Sequence, residues 1–264
     1  MLKKLMKYDF VRVEKVVVWA LLAVLVCAAA ARLTNAIYNE KMTMLWLIVD
    51  KIASALAIVV MIFAVFLTFF RIAASFARTV YGKQSYFTHT LPVKRGAVYD
   101  AKVLCGLAMN LLTLLAVGAG AAIVFLTGDT MALVKAAWKD SGAFYLLAAV
   151  TFVLEVLCFA VCAYLGIVLG HMLNTHKIFL SVVFTLVLWN VISTVLIGAE
   201  AVFYFANGNI ADFLRADTAS FAMDAPMPQE VKTVFVVAAA GYALMISVLY
   251  FIGRRLLVKG VNVD

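Results

Sequence analysis

Glu155 stands alone in an apolar run, between Leu154 and Val156 and about twelve residues from either end of it. An acid there is costly in a bilayer, so the residue is held neutral as a packing group, hydrogen-bonded to a neighbouring helix, or set along a solute path. Asn110, Asn190 and Glu200 fall in other apolar runs and join Glu155 as candidates for a translocation path. Asp50 and Lys51 sit near the start of a further run and are expected to reach the membrane interface. His171 and His176 flank the end of one run at i, i+5 without the glutamate of an H-E-x-x-H zinc helix. The chain has no G-x-S-x-G elbow and no G-x-x-x-x-G-K-[ST] loop to cradle phosphates. No catalytic residue, metal or cofactor is therefore expected, and any ATP hydrolysis must reside on another chain.

The elements that carry these residues follow from composition. Of 264 residues, 66% are hydrophobic and only 14% charged, against about 25% charged in a soluble domain. The mean hydropathy of +1.07 is too high for one anchor, since a single span of about 20 residues would be diluted by the rest. Several spans are required, and the short polar stretches leave no room for a soluble catalytic domain. Cys27, Cys105, Cys158 and Cys162 all lie in apolar runs and act as small hydrophobes, with no disulfide framework and no zinc site.

Six stretches are long enough to cross a bilayer: 16–33, 45–70, 103–126, 143–170, 178–206 and 231–252. They are continuously apolar over more than about 18 residues, which indicates helices, because barrel strands alternate over about ten. The expected fold is all-α: a single polytopic transmembrane domain over 1–264. Gly118 and Gly120, and Gly166 and Gly170, are read as places of close helix packing.

Orientation follows from the basic residues. With the N-terminus inside, fifteen lysines and arginines fall in inner segments and six in outer segments or at their boundary, with Lys51 in a span. Both termini are therefore expected in the cytoplasm, and the acidic segment around Asp212, Asp217, Asp224 and Glu230 outside. The net charge of +8 has this topological origin, and no basic patch with stacking aromatics on a separate domain suggests nucleic acid. A cleaved leader ending near Ala28 to Ala31 is disfavoured, because its charged segment is long and includes Asp9 and Glu14.

Two segments are more than lipid-facing. In 1–15, Leu2, Leu5, Met6, Phe10 and Val13 recur at helical spacing while Lys3, Lys4, Lys7, Arg12 and Lys15 lie off that stripe, as in an amphipathic helix lying in the inner interface. The inner connection 71–102 is the longest. Gly82 is expected to break the helix leaving the second span, Leu91-Pro92 to stop an extended stretch, and a new helix to start near Lys94.

The stretch Tyr81 to Arg95, with Tyr86, Phe87, Thr88, His89, Leu91, Pro92 and Val93, resembles the tyrosine-rich, T-L-P-V segment of bacterial type-2 ATP-binding cassette (ABC) transporter permeases. The six-span layout and leading amphipathic helix are similar too; the motif itself covers about fifteen residues. The resemblance implies that the leading helix is an elbow and that 71–102 is a cytoplasmic coupling loop. It also implies that Tyr86, Phe87, Thr88, His89, Leu91 and Pro92 contact a separate ATP-binding cassette ATPase subunit. Phe87 and His89 depart from the apolar or hydroxyl residues common at those places.

The expected function is a permease subunit of the bacterial cytoplasmic membrane, exporting a hydrophobic or amphipathic solute and paired with a second permease subunit as homodimer or heterodimer. The competing class is a self-contained secondary carrier, which would show inverted repeats and broken helices at midplane. No convincing similarity links residues 1–126 and 127–264. A membrane-embedded enzyme is disfavoured, since no acid, base and nucleophile cluster together.

Overall fold

The computed structural model describes residues 2–82, 95–173, 176–206 and 229–259. They form α1 (Leu2–Lys41), α2 (Met44–Val80), α3 (Arg95–Phe125), α4 (Gly128–Met172), α5 (Lys177–Ala206) and α6 (Gln229–Lys259), with no strand among the described residues. Each helix holds one stretch able to cross a membrane: Lys15–Lys41, Met44–Val80, Gly96–Phe125, Gly142–Met172, Lys177–Phe203 and Lys232–Lys259. The chain is an all-α, multi-pass membrane protein with six such helices. Large apolar side chains such as Trp19, Phe63, Phe70, Ile178 and Leu244 stand exposed on them, as lipid-facing residues do.

The helices overrun the expected spans where the sequence offers nothing to stop them. Residues 1–15 and 16–33, read as an in-plane elbow and a separate span, belong to one helix of 40 residues. Between Leu2 and Lys41 there is neither glycine nor proline, and the helix needs a break to turn from the membrane plane into the bilayer. The outer connection expected between 126 and 143 is also helical. Thr127 starts α4, its N–H donating to the Thr130 hydroxyl at 2.7 Å while Met131 N–H returns to the Thr127 carbonyl at 2.7 Å. From there Ala, Leu, Met and Lys carry the helix towards the span; no proline intervenes, and the helix runs on through Gly142. The tight connections use left-handed backbone: Met42, between α1 and α2, has φ 46°, and His176, before α5, has φ 45°.

By its contacts the chain divides into two compact units, Met1–Ala132 and Leu133–Asp264. In the first, Val24, Ala28 and Ala31 of α1 pack with Ala57, Met61 and Ala64 of α2 and Val124 of α3. Gly120 of α3 lets these helices approach: a Cβ there would lie 3.0 Å from a Val24 methyl and 3.1 Å from the Met61 methyl. Gly118, expected to do the same, has nothing within 4 Å of that position. Seven residues down α3 from Gly120, the Thr113 hydroxyl stands 3.1 Å from the Thr68 hydroxyl, seven residues up α2 from Met61. The two helices are therefore antiparallel and pinned at this level by the pair.

In the second unit, α4 and α5 are also antiparallel. A Cβ on Gly166 would lie 2.8 Å from the backbone nitrogen of Thr185, and one on Gly170 would lie 2.5 Å from that of Ser181. Gly166 and Gly170 thus serve the close packing read from their spacing. The third helix is tied on by the Thr151 hydroxyl, which donates to the Phe235 carbonyl at 3.3 Å, and by the Phe144 and Phe235 rings, 5.2 Å apart edge to face.

Candidate functional site

The described residues on either side of the segment singled out by sequence form a well-packed stem. α2 ends as expected before Gly82: the N–H groups of Tyr81 and Gly82 donate to the Ala77 carbonyl at 3.0 and 3.1 Å. A Cβ on Gly82 would stand 2.7 Å from the Arg78 carbonyl oxygen, so no other residue closes this turn without displacing it. α3 begins at Arg95, one residue from the expected start. Between them, Ile72, Phe76 and Val80 of α2 and Val98, Tyr99 and Val103 of α3 are buried, with the Phe76 and Tyr99 rings 6.1 Å apart edge to face. Burial pushes the Tyr81 phenol above its ordinary range, so its hydroxyl stays protonated. Tyr86, Phe87, Thr88, His89, Leu91 and Pro92 lie in 83–94, outside the described residues.

The four path candidates separate. Asn110 belongs to the first unit, is buried, and donates to the Gly106 carbonyl at 3.0 Å, an arrangement that satisfies a packing residue. Glu155, Asn190 and Glu200 belong to the second unit. Asn190 is exposed and donates to the Leu186 carbonyl at 2.9 Å.

Glu155 and Glu200 lie on the two helices that contribute to an aromatic stack that sequence reasoning missed. Phe159 of α4 meets Trp189 of α5 edge to face at 5.2 Å, and Trp189 stacks on Tyr242 of α6 at 6.5 Å with an interplanar angle of 12°. Glu155 is one helical turn before Phe159 on α4. Glu200 is one turn after Leu196, whose side chain closes on Gly241 beside Tyr242. Glu155, Phe159, Trp189, Glu200 and Tyr242 are all half-buried. The signal available in the sequence was the recurrence of aromatic residues at matching depths in three consecutive spans, which cannot be recognised without the helix registers.

Asp50 also departs from expectation. It is buried: it is 2% exposed, its Oδ1 has no hydrogen-bond partner among the described residues, and its Oδ2 lies 3.9 Å from the ammonium of an exposed Lys51. His171 does not turn towards a metal partner; its Nδ1 lies 2.8 Å from the Ile167 carbonyl oxygen. Among the described residues no three His, Cys, Asp or Glu side chains converge as metal ligands would.

Comparison with protein-family models, with curated proteins and with solved structures finds no match.

Proposed function

We propose that the chain is the membrane-spanning subunit of an ABC exporter, driven by a separate ATPase that docks on residues 83–94 and working beside a second permease subunit. The observation that carries this reading is the stem. A helix of 37 residues is about 55 Å long, while the hydrocarbon layer is about 30 Å thick, so α2 reaches well beyond it. A projecting helical pair with the Phe76–Tyr99 contact buried inside it is stiff enough to transmit force; an ordinary connector would need neither the length nor the packing. The apolar, aromatic and proline residues of 83–94 at its tip suit a protein contact. On this reading Tyr86, Phe87, Thr88, His89, Leu91 and Pro92 meet the ATPase. ATP-driven approach of two such stems then moves the spans between inward and outward access, in the cytoplasmic membrane of a bacterium with both termini inside.

A self-contained carrier made of two inverted copies deserves comparison, because the two compact units carry three helices each. Their packing devices do not correspond. The close-packing glycine of the first unit, Gly120, is on its third helix, whereas Gly166 and Gly170 of the second are on its first. The permease reading is tested by purifying the tagged chain from native membranes. A soluble subunit with a phosphate-binding loop should accompany it, and the chain alone should turn over no ATP.

A further inference from the structure

The second unit carries two acids, Glu155 and Glu200, within its apolar spans. No lysine or arginine occurs between Lys139 and Lys177, between Lys177 and Arg215, or between Lys232 and Arg254, so the basic residues of its three spans stand only at the span ends. Two carboxyls alone would not define a ligand, since each is also able to remain neutral. The aromatic stack is a separate observation that does. Trp189 and Tyr242 lie nearly parallel, with Phe159 edge-on to Trp189, and all three are only half-buried. Indole and phenol faces attract cations, most strongly where water is scarce, and recognition of quaternary ammonium groups characteristically combines such faces with nearby negative charge.

Helix register puts the two features at one level. The α4–α5 contacts pair Gly170 with Ser181, Gly166 with Thr185 and Phe159 with Trp189, a progression that continues to Glu155 opposite the turn ending at Leu196. Leu196 in turn closes on Gly241. Glu155 therefore lies level with the Leu196–Gly241 contact beside Tyr242, and Glu200 lies one helical turn beyond it on the same side of Trp189, the two carboxyls coming from antiparallel helices.

We propose that this constellation binds the positively charged head of an amphipathic solute, with Trp189 and Tyr242 against the cation and Glu155 and Glu200 supplying its counter-charge. The proposal rests on the permease reading for its physiological sense and makes the exported solute a cationic amphipath, such as a quaternary ammonium or phosphonium compound with apolar substituents. The absence of lysine and arginine from the interior of these spans is then functional: either residue beside the carboxyls would occupy them permanently.

The test uses the full chain in lipid nanodiscs and two probes of the same shape and opposite charge, radiolabelled tetraphenylphosphonium and tetraphenylborate, with empty nanodiscs as the partition background. Saturable binding of the phosphonium and none of the borate is expected. The double variant Glu155→Gln, Glu200→Gln should lose at least about tenfold in phosphonium affinity. Trp189→Leu should lose about fivefold and Trp189→Phe less, while circular dichroism and gel filtration remain those of the parent. The proposal is overturned if the parent shows no saturable phosphonium binding, if it binds the borate as well, or if the double variant binds like the parent. Co-purification of the ATPase, followed on the same samples, separates the two readings. Lost discrimination between the probes with retained ATPase removes only the substrate class. Phosphonium binding without any ATPase removes the permease assignment and leaves the site.

Discussion

Gly170 of α4 lies so close to Ser181 of α5 that a Cβ on the glycine would stand 2.5 Å from the serine's backbone nitrogen. Gly166 repeats the relationship with Thr185 one turn away, so the second unit is held by backbone-to-backbone approach where lipid supplies no hydrophobic drive for helices to associate. Gly170→Leu should therefore force the helices apart and destabilise the protein by about 1–3 kcal/mol, read as a lower melting temperature in detergent. Gly118→Ala, which places a methyl in open space, should leave the melting temperature unchanged or raise it slightly.

The pair of hydroxyls at Thr68 and Thr113 makes a smaller and separable contribution. A double-mutant cycle with Thr68→Val and Thr113→Val should return a coupling of about 0.6 kcal/mol, the usual size for a hydrogen bond between membrane helices. A coupling indistinguishable from zero would mean that each threonine is satisfied within its own helix, as the 3.0 Å approach of Thr113 Oγ to the Met109 carbonyl oxygen already permits.

Asp50 is a buried carboxyl with one oxygen unpartnered, and its contact with Lys51 at 3.9 Å is to a side chain that is 75% exposed. The contact is long and the ammonium stands in the open, so Lys51→Ala should change thermal stability by well under about 1 kcal/mol. Asp50→Asn keeps the volume and removes the buried carboxyl, and should leave stability equal or higher. Marked destabilisation by Asp50→Asn, measured as a lowered melting temperature, would show that the carboxyl has a partner.

Much of this architecture was legible from the sequence because the bilayer imposes a length and a polarity that composition records directly. Each of the six expected stretches overlaps one long apolar helix, with 103–126 running one residue past Phe125, and the connection between α2 and α3 is bounded by Gly82 and Arg95. Helix ends were misjudged where hydropathy falls but no proline occurs, as in 1–15 and 128–142, since polarity reports the membrane boundary and not the end of the helix. Asp50 was misplaced for a related reason. Its depth is readable from its position in the run, whereas the face it occupies depends on how α1 and α3 pack around α2. The arrangement of Glu155, Glu200, Trp189 and Tyr242 required the registers of three helices, which no local pattern encodes.

The stem gives a further handle on coupling. Phe76→Ala removes a fully buried ring against Tyr99 and should cost about 3–5 kcal/mol locally. Membrane insertion, which depends on the spans, should persist, while the yield of co-purified ATPase falls. The less disruptive Phe76→Leu should retain most of that yield.

The central claim is that residues 83–94 are the grip of a separate ATPase. It is tested most directly by measuring ATPase co-purification and transport for Phe87→Asp beside the parent, with membrane insertion as the control. A charge placed in an apolar docking contact should abolish both while insertion stays at the parental level. Parental ATPase recovery together with undiminished transport would contradict the account and reduce the segment to a connector between α2 and α3.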